Sequence, residues 1–224
     1  MNSLADTRSV LRVAAIGSPA PVGMTLKRTV DIVLALSGII LLAPLLIICF
    51  TVTALTSPGP ALFRHRRVGF NGKHFHCFKF RTMVTDAPER LRKLLESDPS
   101  AAAEWATNRK LRNDPRITAI GGILRKSSLD ELPQLFNVLK GDMSIVGPRP
   151  VTDDELERYA SSVNAYLSCR PGITGLWQVS GRSTTTYNKR VACDTFYARN
   201  WSMALDVKII AVTIPALLVS DNAC

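Results

Sequence analysis

From Ile32 to Leu55 the chain runs through about 24 residues without a charged side chain, and roughly 20 such residues suffice for an α-helix to cross a bilayer. Anything built on this block must either meet a membrane or bury a large apolar surface. Pro44 stands at its centre. A proline there removes a backbone donor and crowds the preceding turn, so the helix is expected to kink. Each half is then about 12 residues, or roughly 18 Å, against a hydrocarbon core of about 30 Å. Lys27 and Arg28 precede the block, and Arg64, Arg66, Arg67 and Lys73 follow it. Positive charge on both sides suits a hairpin with both ends in the cytosol better than a span with a preferred orientation. A re-entrant helix over residues 25–57 and a plain span that tolerates its proline both remain open on these grounds.

Residues 1–24 are small, polar and proline-containing, with no signal-peptide core, and are expected to form a flexible tail. Residues 58–224 are expected to form the catalytic domain. FRHRRVGFNGKHFHCFKF alternates around Phe70-Asn71-Gly72-Lys73 and predicts a β-hairpin. DAPERLRKLLESDP and SAAAEWATNRKL read as amphipathic interfacial helices closed by turns at Asp98-Pro99 and Asn113-Asp114-Pro115. ELPQLFNVL predicts a short helix, MSIV a strand, RPGITGLWQVSGR a turn, strand and turn, and NKRVACDTFYARNW a helix. The fold class is α+β, a small domain on a membrane hairpin. A second apolar stretch, Leu205 to Val219, contains Pro215 and either lies in the membrane interface or packs into the core.

The formal charge of +10 and pI near 9.7 make anions the expected partners. No nucleic-acid-binding fold or stacking motif accompanies the charge, so nucleic acid is not expected as a partner, and lipid headgroups or nucleotide phosphates are. Five cysteines in an irregular pattern suit reduced thiols. His65, His74 and His76 sit on the alternating stretch and read as strand surface rather than metal ligands.

The densest chemistry lies in RKSSLDELPQLFNVLKGDMSIVGPRP, residues 125–150. Ser128 and Glu131 fit a capping box, and Pro133 belongs in a first helical turn. Asp130 and Glu131 would then lie at a helix N-terminus, which favours ionised carboxylates. Capping explains one acid, not the crowd of cations around two. An ionised carboxylate can attack phosphorus or hold a divalent metal. Arg149, stiffened by Pro148 and Pro150, suits a bidentate phosphate fork, with Lys79 and Arg81 adding cations from one strand face. The chain has no Walker A loop, GxGxxG or DxD motif, which argues against the phosphoryl-transfer folds that depend on them.

These stretches, with KRTVDIVLAL, LLAPLLI, FRHRRVGFNGKHFHCFKFRTM, RPGITGLWQVSGR and LDVKII, resemble the bacterial polyprenol-phosphate phosphoglycosyltransferases of the monotopic, single-hairpin type. The resemblance covers Lys27 to Val219 and leans towards the galactosyl-phosphate transferases that begin exopolysaccharide repeat units. It implies a hairpin at Pro44 re-entering the bacterial inner membrane from the cytoplasmic face, with the catalytic domain on that face. It implies that Asp130 attacks the β-phosphorus of a UDP-sugar, expels UMP and passes the phosphosugar to undecaprenyl phosphate. Glu131 would bind Mg²⁺ with Asp130 or act as a base. Arg149 and Arg125 would hold phosphate oxygens, and Lys27 and Arg28 would meet headgroups. Galactose is the first expectation for the sugar, glucose the second, and a homodimer is compatible with the resemblance. Ala43 replaces the serine that often precedes the hairpin proline, and no further membrane domain is expected before Lys27. The alternative is a membrane-tethered protein that binds anionic ligands, or scaffolds polysaccharide assembly, without chemistry.

Overall fold

The computed structural model describes residues 20–108, 111–181 and 186–218. Helix α1, Met24–Thr56, carries the apolar block as one helical element with Pro44 inside it. Strands β1, Leu62–Val68, and β2, His74–Phe80, pair antiparallel from Leu62 opposite Phe80 to Val68 opposite His74. Their connection turns at Asn71, whose φ of 52° is the left-handed conformation that asparagine tolerates. The expected hairpin is therefore present.

Helices α2, Ala87–Ser97, and α3, Pro99–Asn108, meet at Asp98. Its Oδ1 accepts the Ser100 and Ala101 amides at 2.8 and 3.1 Å, so the Asp-Pro pair starts a helix as well as turning the chain. Then follow α4, Ala119–Lys126; α5, Gln134–Lys140; β3, Ser144–Val146; α6, Asp153–Glu157; and α7, Val163–Leu167. The chain continues as β4, Gly172–Thr174; α8, Leu176–Val179; α9, Tyr187–Arg199; and α10, Met203–Leu218. β3 and β4 pair in parallel, Ser144 opposite Gly172 and Val146 opposite Thr174. The segment expected as turn, strand and turn thus holds a short helix, α8, after its strand.

Helix α1 is built into the domain along one face. Ala35 and Ile39 pack with Phe75, Leu135 and Val138, while Leu45, Leu46 and Cys49 pack with Phe80 and Leu124. Its other face points Leu36, Ile40, Leu41, Ile47, Ile48 and Phe50 outward. Helix α10 is divided in the same way. Ile209 is buried with Val146 and Tyr197, whereas Val207, Val212 and Ile214 are exposed. One face of the second apolar stretch packs into the core, and the other is exposed. A continuous exposed apolar surface of this kind marks a membrane or protein contact, and α1 is long and apolar enough to cross a membrane.

Most of the segment read as a flexible tail, residues 1–19, lies outside the described residues. Its end does not float. Val22 donates its amide to the Ser168 carbonyl at 3.0 Å and packs beside Trp201 and Leu205.

Candidate active site

Between α4 and α5 the chain makes a single 3₁₀ turn, Leu129–Glu131. Ser128 before it has φ 56° and ψ 16° and accepts no capping bond through its side chain. The capping box expected from Ser128 and Glu131 is absent, because an N-cap needs extended backbone and Ser128 is left-handed. The box forms instead at α6, between Thr152 and Glu155. Leu129 and Leu132, on either side of the acidic pair, pack into the cluster that Phe80 of β2 and Leu124 of α4 form with Leu46 and Cys49 of α1. The turn thereby rests on β2 and α4 and shares an apolar cluster with α1.

Asp130 is 8% exposed. From β2, Lys79 places Nζ 2.5 Å from Glu131 Oε1 and 3.9 Å from Asp130 Oδ2. Burial pushes the Asp130 carboxyl up to about 6; the charge of Lys79 opposes this, Glu131 adds to it and Arg125 opposes it. The carboxylate still ionises near neutral pH, but no helix end lowers its pKa. Asp130 lies ahead of Pro133, which caps α5, and desolvation outweighs any dipole at that remove.

Arg125 donates from Nε to Thr82 Oγ1 at 2.8 Å and lowers the Asp130 pKa by its charge. Its helix is pressed onto the Thr82 backbone: Thr118 N donates to Thr82 O at 3.1 Å, and a Cβ on Gly121 would lie 2.1 Å from that oxygen. Arg149 sits on the loop after β3 with its guanidinium 5.7 Å from the centre of the Trp177 ring. That loop runs backbone against backbone, since a Cβ on Gly175 would meet Gly147 O at 2.1 Å. Buried Cys77, pushed up to about 11 mainly by desolvation, lies within the fields of Lys79, Glu131, Arg67 and Arg149. The acidic pair, Lys79 and Arg125 therefore belong to one neighbourhood, which Arg149 adjoins through the field felt at Cys77.

Three expected site residues lie elsewhere. Arg81 is buried and donates from Nη2 to Ser57 O at 2.6 Å, anchoring the chain as it leaves α1. Lys27, 6% exposed, is not open to a headgroup; its Nζ is 2.6 Å from Asp206 Oδ2 on α10. Arg28 donates to the Val138 and Leu139 carbonyls at 2.6 and 2.9 Å, capping the end of α5.

The sequence reading passed over Asp206, which also accepts the Tyr197 hydroxyl at 2.7 Å and Trp201 Nε1 at 3.0 Å. It passed over Asp31, whose Oδ1 accepts from Ser144 Oγ and the Ile145 amide, both at 2.9 Å. The one available signal was an acid and a lysine four residues apart inside an apolar helix, where a charge needs a partner.

Among the described residues no three His, Cys, Asp or Glu side chains are grouped to hold a metal. The His74 ring instead contacts Asp153 Oδ1 at 2.7 Å. Asp130 and Glu131 supply a pair of hard carboxylates, which suits Mg²⁺, an ion that binds one or two carboxylates and completes its shell with phosphate oxygens and water.

A family model described as bacterial sugar transferase matches residues 22–220. The chain is 48% identical over 207 residues to the exopolysaccharide production protein ExoY of Sinorhizobium fredii, covering 92% of each chain. It is 53% identical over 199 residues to an undecaprenyl-phosphate galactose phosphotransferase of Salmonella typhimurium, covering 88% of this chain and 41% of that protein. It is 41% identical over 217 residues to a UDP-glucose:undecaprenyl-phosphate glucose-1-phosphate transferase of Caulobacter vibrioides, covering 92% and 76%. The chain thus spans nearly all of the first relative and less than half of the second.

Proposed function

This chain belongs to the bacterial sugar transferase family, and from that premise we propose that it transfers a sugar 1-phosphate from a UDP-sugar to undecaprenyl phosphate, releasing UMP, at the start of exopolysaccharide synthesis. Galactose 1-phosphate is the first choice of cargo, because the galactose-named relative is more similar than the glucose-named one. The observation that carries the reading is the buried Asp130 beside Lys79 and Glu131, on a turn that shares an apolar cluster with α1.

In the first step an Asp130 carboxylate oxygen bonds to the β-phosphorus, and the bond from that phosphorus to the bridging oxygen breaks. UMP leaves with the oxygen. In the second step an oxygen of undecaprenyl phosphate bonds to the same phosphorus, the bond to Asp130 breaks, and the carboxylate is restored. Lys79, Arg125 and Arg149 neutralise phosphoryl oxygens, leaving little charge to develop unopposed. Mg²⁺, held by Asp130 and Glu131, would supply further neutralisation of phosphate charge. Burial makes Asp130 a poorly solvated and hence reactive carboxylate once ionised.

The membrane topology follows the same reading, with residues 25–57 re-entering the inner membrane and residues 58–224 on its cytoplasmic face. Both ends of α1 touch one domain: Lys27 reaches Asp206 and Asp31 reaches Ser144, while Cys49 packs on Phe80 and Ser57 accepts from Arg81. A straight helix of 33 residues extends about 50 Å. A simple span would carry its two ends to opposite sides of the bilayer. Cysteines at Leu26 and Asn71, both exposed, should be labelled from the cytoplasmic side alone; periplasmic labelling of Leu26→Cys would establish a plain span.

The direct test of the chemistry is UMP release by membranes containing Asp130→Asn. Loss of release is expected. Undiminished turnover would remove Asp130 as the nucleophile, and release of no UMP by the unaltered protein from any UDP-sugar would favour a binding or scaffolding role.

A further inference from the structure

Beside the acidic pair lies a second charged cluster that the chemistry above uses only through Arg149. Glu155 bridges the half-buried Arg67 and the buried Arg190: its Oε2 accepts from Arg67 Nη1 at 2.8 Å, and its Oε1 lies 3.6 Å from Arg190 Nη1. Arg190 and Arg149 both lie against the Trp177 ring, 5.2 and 5.7 Å from its centre. Arg158 stands over Tyr187 at 3.7 Å. Three guanidinium groups, Arg67, Arg149 and Arg190, thus face two carboxylates, Glu155 and Asp194, and Asp194 is itself engaged by the Tyr159 hydroxyl at 2.6 Å. The excess is positive.

Arg190 carries the decisive detail. It is 6% exposed, and its Nε and Nη2 are buried without a hydrogen-bond partner. Those two nitrogens form one side-on edge of the guanidinium. Arg116 uses the same edge to grip the Asp114 carboxylate at 2.8 and 2.6 Å. A buried guanidinium edge left unpaired is costly, and an oxyanion presenting two oxygens is its natural complement.

The cluster also has a defined place along the hairpin. Lys79, which serves the acidic pair, and Arg67, opposite Phe75, are four residues apart in strand register, or about 13 Å. The Cys77 thiol feels both groups of charges. A donor whose transferred phosphorus sits at Asp130 would extend its remaining phosphate and nucleoside in this direction.

We propose that Arg67, Arg149 and Arg190, with the Trp177 ring as a wall, form the subsite for the nucleoside monophosphate half of the donor, with the Nε–Nη2 edge of Arg190 holding the phosphate that departs. The proposal rests on the UDP-sugar reading. It assigns Arg190 and Arg67 to the leaving nucleotide, and leaves the transferred phosphoryl group to Lys79 and Arg125.

The test compares full-length unaltered protein with Arg190→Lys, which keeps the charge but loses the fork, and with the half-buried Arg149→Lys. UMP is the probe. It is measured as a competitive inhibitor of UDP-sugar and as a ligand that raises the unfolding temperature. Each variant is expected to weaken UMP at least about tenfold and to raise KM for the UDP-sugar. KM for undecaprenyl phosphate should stay within about twofold. Variants that unfold at the unaltered temperature yet bind UMP as the unaltered protein does would overturn the subsite. Should Arg190→Lys fail to fold, the same readout on Arg149→Lys decides. If the unaltered protein neither binds nor releases UMP, the donor reading itself falls; if it does both while the variants match it, only the subsite falls.

Discussion

Asp130 is poised by two neighbours of opposite sign, and removing each should move its titration in opposite directions. With its carboxyl pushed up to about 6, the ionised nucleophile is lost as pH falls through that value. UMP release should therefore show an acid limb near pH 6. Lys79 Nζ stands 3.9 Å from Asp130 Oδ2. Two unit charges at that distance interact by about 1 kcal/mol in water and about 4 kcal/mol at an effective permittivity of 20. Lys79 is roughly a quarter exposed, its side chain at 26%, which screens it towards the lower figure. A loss of about 1–3 kcal/mol converts to about one to two pH units. Lys79→Met should move the limb upward by that amount. At the upper end, release at pH 7 falls about tenfold and recovers near pH 9. Glu131→Gln removes a like charge and should move the limb downward. The assay is single-turnover UMP release from enzyme in nanodiscs between pH 5 and 9. Limbs that stay in place in both variants, or move in the same direction, would refute the electrostatic account of Asp130. Any part of the Lys79→Met loss that persists at high pH measures the action of Lys79 on the phosphoryl oxygens, separate from its effect on the nucleophile.

Asp130→Asn should abolish UMP release yet raise stability at pH 7 by roughly 1–3 kcal/mol. Because the folded-state pKa lies above the ordinary carboxylate value of 3.8, native protein loses stability as pH rises through about 6. Thermal unfolding should therefore show the variant's advantage at pH 7 and its disappearance below about pH 4. Lys27→Met leaves Asp206 buried with only Tyr197 and Trp201 as donors. It should cost about 3–5 kcal/mol, or roughly 6–20 °C in unfolding temperature, with part of the loss recovered in the double variant with Asp206→Asn. Gly121→Ala drives a methyl into the Thr82 carbonyl, whereas Gly122→Ala meets nothing within 4 Å. UMP release should fall at least about tenfold in the first, as Arg125 leaves Thr82, and stay within about twofold in the second.

The parts of this molecule legible in its sequence are those set by local chemistry. A charge-free block of helical length, an Asn-Gly turn between alternating strands and an acidic pair among cations all act over a few residues. The parts missed depend on partners far along the chain. Lys27 reads as a headgroup contact because its carboxylate is 179 residues away; Arg28 reads the same way because its carbonyl acceptors are 110 and 111 residues away. The false capping box has a different cause. Ser128-x-x-Glu131 and Thr152-x-x-Glu155 satisfy one pattern, and only backbone conformation separates them. Arg81 was misjudged because it follows Lys79 at strand spacing, yet it leaves the last residue of β2, Phe80, to hold the Ser57 carbonyl.

The position of the acidic pair joins these strands of evidence. Leu129 and Leu132 bracket Asp130 and Glu131 in sequence and pack into the cluster that Phe80 and Leu124 share with Leu46 and Cys49 of α1. The same turn therefore carries the carboxylate proposed to react and apolar contacts to the cluster on which the apolar helix also rests. Apolar packing desolvates Asp130, which raises its pKa, and Lys79 limits that rise so that ionisation survives at neutral pH. A more solvated carboxylate would ionise readily but react sluggishly, while one buried without Lys79 would stay protonated. A chemistry that takes phosphate from a water-soluble donor and gives it to a lipid needs this intermediate setting. The sequence LDEL supplies it by setting two acids between two anchors.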